Sequence, residues 1–70
     1  MQQANKVNPQ AFLNARKSQL LDKSSLARKA GVSSLTVTRL ESGKPVQLVN
    51  IKKIMMALGY TLQDKDRFFM

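Results

Sequence analysis

Residues 23–42, KSSLARKAGVSSLTVTRLES, constrain this chain more than any other stretch. Leu26, Ala30, Val32, Val37 and Leu40 supply apolar positions on both sides of Gly31, so the run reads as two short helices locked against a core and joined by a tight glycine turn. Gly31 sits where a side chain would clash or where positive φ is wanted, and it ends the first helix as a C-terminal cap. Ala27 is small where one helix crosses the other. Asp22 is placed to cap the first helix, with its charge at the positive end of the helix dipole, and Ser33 or Ser34 caps the second. That second helix is expected to run through Arg39 to about Ser42 although Thr36 and Val37 lower its propensity, so packing must hold it.

The flanks extend the helical pattern. Residues 1–7 are polar and aperiodic, which predicts a mobile arm whose one charged side chain is Lys6, leaving residues 8–70 as the domain. Asn8-Pro9 is a start signal for a first helix, on which Phe12, Leu13 and Arg16 share a face, ending near Gln19 before a Leu20-Leu21 connector. Gly43-Lys44-Pro45 reads as a turn. From about residue 47 to 58 a fourth helix carries Leu48, Ile51, Ile54, Met55 and Leu58 on one stripe and stops at Gly59. Beyond it the pattern leaves two readings open: a strand at Tyr60-Thr61-Leu62, or a short helix capped by Asp64. No repeat or interdomain linker is visible.

Twelve Lys and Arg against four Asp and Glu give a formal charge of +8, a balance that favours polyanions. Nucleic acid comes first and an anionic membrane surface second. A chain of 70 residues with this balance makes one domain of limited core, which a partner subunit would help to stabilise. The absence of Cys and His removes the usual zinc ligands, any disulfide and the commonest general base, so no metal, cofactor or catalytic residue is expected. No apolar run reads as a secretory signal or a membrane span, which makes a soluble cytoplasmic protein the default expectation. On the outer side of the helix after Gly31 lie Ser34, Leu35, Thr38 and Arg39, short or hydrogen-bonding groups suited to base edges in a major groove of duplex DNA.

Residues 12–59 resemble the phage repressor and Cro type of helix-turn-helix domain over about two-thirds of the chain. The resemblance rests on Arg16, Leu26-Ala27, Ala30-Gly31-Val32-Ser33, Leu40-Glu41-Ser42-Gly43-Lys44 and Ala57-Leu58-Gly59, in that order and spacing. It implies an all-α, lambda-repressor-like bundle of four or five helices that binds a pseudo-palindromic DNA operator as a homodimer and regulates transcription, most often by repression. It further implies that Lys23, Ser33 and Lys44 touch phosphates, that Ser34, Leu35, Thr38 and Arg39 face bases, and that Arg16 pairs with Glu41 for structural reasons. Leu35 departs from the family pattern, offering a thymine methyl an apolar contact but no hydrogen bond.

Blander readings stand beside these. Lys23, Lys44, Lys52 and Lys53 can be solvated surface, with Lys52 and Lys53 turned from the apolar stripe. Leu35 can belong to the core. Met55 and Met56 read as packing or dimer-interface filler. A second functional class is an antitoxin that autorepresses its operon and binds a toxin, suggested by Tyr60, Leu62, Phe68 and Phe69 after the last long helix. A cationic membrane-active peptide is a third, with only the fourth helix near the required pattern.

Overall fold

A computed structural model describes residues 4–5 and 7–69 of the chain. In order, the elements are β1 (Ala4–Asn5), α1 (Pro9–Ser18), α2 (Lys23–Ala30), α3 (Ser34–Glu41), β2 (Val46–Gln47), α4 (Leu48–Ala57), a 3-10 turn (Leu62–Asp64) and α5 (Lys65–Phe68). This is the all-α helix-turn-helix bundle that the resemblance implied.

Local chemistry starts each of the first three helices. The Asn8 side chain accepts from the amides of Gln10 and Ala11, with Pro9 at the first helical position. Asp22 accepts from the Ser25 amide at 2.7 Å, and Ser33 from the Thr36 amide at 3.2 Å. Each of the four longer helices then ends in one motif, in which a left-handed residue turns two amides back onto the last carbonyls. Gly31, Gly43 and Gly59 fill that position for α2, α3 and α4, whereas α1 uses Leu20, at φ +58°.

The core forms where these helices meet. α2 packs on α3 and α4, and α1 crosses α3. Phe12, Leu26, Val37, Leu40, Ile51, Ile54, Met55 and Phe68 are fully buried between them. Leu48, expected on the α4 stripe, is instead 36% exposed. It opens the helix at the margin of the core, where the chain has just left β2, and Ile51 is the first α4 side chain to reach the interior.

Both ends of the domain differ from the sequence reading. Ala4 and Asn5 pair antiparallel with Gln47 and Val46, and Val7 is buried and bridges to Phe69. At these positions the expected mobile arm is a tied-down edge, because backbone groups of β1 find partners on β2 and Val7 finds the core. Met1, Gln2, Gln3 and Lys6 lie outside the described residues. After Gly59 the chain takes the helical alternative rather than the strand. Asp64 does not cap α5 with its side chain; it reaches back to accept from the Thr61 amide and hydroxyl. Phe68 is buried against Phe12, ring centroids 4.6 Å apart, and Tyr60 meets Phe68 edge-on at 4.8 Å. The Leu62 side chain lies outside the described part.

Candidate nucleic-acid interface

The outward side of α3 follows from what its inward side must do. Val37 and Leu40 are buried at three-residue spacing, which turns Leu35, Thr38 and Arg39 toward the opposite side of a helix of 3.6 residues per turn and leaves Ser34 on its flank at the first turn. Ser34 and Arg39 are exposed, Leu35 is 65% exposed, and Thr38 is half-buried. Leu35 is therefore a surface residue and not core.

Ser33 is committed to starting the helix: besides its bond from the Thr36 amide, its hydroxyl lies 3.0 Å from that of Thr36. It stays exposed, so a further acceptor can approach it from outside. Arg39 donates through one Nη2 hydrogen to the Pro45 carbonyl at 3.2 Å, which fixes the guanidinium beside the turn and leaves most of its five N–H groups for another partner. Lys44 is exposed in that turn, held there by its own amide donating to the Arg39 carbonyl at 2.9 Å. Lys23 is the exposed first residue of α2.

The frame behind this face is an ion pair. Arg16 Nε donates to one Glu41 oxygen at 2.6 Å and Arg16 Nη2 to the other at 2.9 Å, while Nη1 reaches the Leu21 carbonyl at 2.9 Å. These bonds to Glu41 raise the Arg16 pKa against the opposing effect of burial, so its charge is secured. The pair clamps the last helical residue of α3 to α1 and to the connector before α2, and so sets the angle at which α3 is presented.

Three residues that the sequence reading passed over adjoin this face. Thr36, Gln47 and Asn50 line a shallow cleft of about 190 Å³ with Arg39 and Pro45. Gln47 and Asn50 come from the start of α4, where the first-turn amides carry no side-chain cap and no acid. Their hydrogen-bonding character was visible, but their approach to α3 is a tertiary fact that spacing does not encode.

A compact bundle that offers one polar helix face, flanked by exposed lysines and propped by a buried ion pair, defines a DNA-binding regulatory domain. The profile of the Helix-turn-helix family matches residues 13–65, and the chain belongs to that family, in its Cro and repressor type. No curated protein matches the chain. No helix among the described residues is long and apolar enough to cross a membrane.

Proposed function

We propose that the protein is a sequence-specific transcriptional repressor of the cytoplasm that acts as a homodimer on a pseudo-palindromic operator. The observation that carries this reading is the face of α3: Ser34, Leu35 and Arg39 are open to solvent while Val37 and Leu40 hold the helix in the core. Each subunit lays α3 into a major groove, and two copies engage successive grooves about 34 Å apart, so that occupancy excludes polymerase. Arg39 has the geometry for a guanine edge, Thr38 and Ser34 for single hydrogen bonds, and Leu35 for a thymine methyl. Lys23, Ser33 and Lys44 hold phosphates, and Thr36, Gln47 and Asn50 extend the contact along the cleft.

The antitoxin alternative was suggested by the aromatic residues after α4. Phe68 is buried against Phe12, and Tyr60 and Phe69 pack on the same core, so these side chains are engaged within the domain. The described side chains therefore favour the repressor reading, while the side chain of Leu62, which also suggested the antitoxin, lies outside the described residues.

Selection of bound sequences from random duplex DNA tests the proposal. A recovered palindrome with half-sites one or two helical turns apart is the expected result. Uniform recovery of all sequences would overturn sequence reading, and an asymmetric single half-site would overturn the dimer.

A further inference from the structure

The outer face of α4 takes no part in the DNA contact described above. Met56 stands there 73% exposed, and Val49, two turns earlier on the same side, is exposed as well. Met56 forms the ridge between two open hollows. One, of about 460 Å³, runs between Met56, Met55 and Tyr60 with Lys52 in its wall. The other, of about 380 Å³, runs between Met56, Ala30 and Ala57 with Lys29 and Lys53 in its wall.

Charge singles out what fits here. Neither hollow is lined by an acid, and α4 contains none. Of the four acids in the chain, Asp22 caps α2, Glu41 holds Arg16, Asp64 accepts from Thr61 at the rim of the first hollow, and Asp66 is exposed on α5 and lines neither hollow. The face is thus apolar at its centre, adaptable through the unbranched Met56, and basic around its edge.

We propose that this face docks an acidic segment of another protein, whose apolar side chains enter the hollows beside Met56 while flanking Asp or Glu meet Lys29, Lys52 and Lys53. A second copy of this chain fits poorly, because a two-fold contact centred on Met56 sets the same lysines against each other with no acid between them. Duplex DNA would satisfy the lysines but leaves Met56 and Val49 without an apolar partner. The inference is independent of the operator reading, since the hollows share no lining residue with the cleft beside α3.

The test uses the full chain with labelled methionine methyl groups and a short peptide rich in Asp and Glu that carries one Leu and one Phe. Nuclear magnetic resonance titration is expected to move the Met56 methyl and the Lys52 and Lys53 amides. Replacing the peptide's Leu and Phe by Ala, or introducing Met56→Ala or the pair Lys52→Glu and Lys53→Glu, should each weaken binding at least about tenfold. These are exposed positions, and an unchanged melting temperature verifies that the variants fold. Equal affinity for the alanine peptide would overturn the proposal, as would shifts gathered on α3. A Met56 signal that moves with protein concentration alone would assign the face to self-association, and one that moves on adding duplex would assign it to DNA; either result also overturns the proposal.

Discussion

Arg16 and Glu41, 25 residues apart, meet in a two-pronged ion pair with side chains only 10% and 5% exposed. A guanidinium matched to a carboxylate at both oxygens fixes orientation as well as distance.

Removing one partner strands the other charge in the interior. Arg16→Ala or Glu41→Ala should each lower stability by about 3 kcal/mol, whereas replacing both with apolar residues of similar volume should recover much of the loss. Thermal denaturation of Arg16→Ala, Glu41→Ala and the double alanine variant forms the cycle that checks the pairing, and the apolar double variant checks the recovery. Two losses that add in the double variant would show that the residues do not act as a pair.

Leu20 occupies the left-handed position that glycine fills at the ends of α2, α3 and α4, and its side chain is 94% exposed. A branched residue is strained there and gains no burial in return. Leu20→Gly should therefore stabilise the fold by about 1 kcal/mol, raising the melting temperature by about 4–8 °C. Leu20→Val, β-branched and worse in this region, should have the opposite effect.

Asp22 accepts from the Ser25 amide, and this bond, with the Ser25 side chain nearby, holds its pKa below the ordinary carboxylate value. Because the folded state keeps this group ionised more readily than the unfolded chain, the cap contributes fully above about pH 4 and is lost as the pH falls through the lower folded value. Melting temperature measured from pH 5 downward should fall less steeply in Asp22→Asn than in the parent.

Arg39 and Lys44 are neighbours with different expected roles. Arg39→Ala and Thr38→Ala should relax sequence preference, while Lys44→Ala should weaken binding to every duplex alike and reduce the salt dependence by about one unit of slope. Competition binding against scrambled operators at two salt concentrations separates the outcomes. Equal losses on all DNA from Arg39→Ala would place it on phosphate rather than on a base.

Phe68 is completely buried in a four-residue helix that has little stability of its own. Phe68→Ala should cost about 3–5 kcal/mol, a large share of what a domain of this size has, and Phe69→Ala, half-buried, should cost less. Chemical denaturation of the two variants gives the comparison.

What could be read in advance was what neighbouring residues decide among themselves. Asn8-Pro9, Asp22, Ser33 and the three glycines mark helix ends because caps act over three or four residues, and Val37 with Leu40 marks the inner side of α3 for the same reason. The ribbon of Ala4–Asn5 with Val46–Gln47 was illegible, since two-residue strands carry no alternation, and Val7 stood alone among polar neighbours. Leu48 kept the helical period yet lies at the edge of the core. At the candidate interface, the α3 face was legible from spacing, but the cleft that adds Thr36, Gln47 and Asn50 exists only once α4 is docked.

The junction of the two chain segments at the far side of the bundle also orders events during synthesis. The Asn8 amide donates to the Phe68 carbonyl at 2.7 Å, Val7 bridges to Phe69, and Phe12 lies under Phe68. Phe12 is synthesised long before Phe68, so the chain's earliest aromatic ring has no cover until the last helix folds back over it. The first helix is fully enclosed only when the final short helix has closed over it.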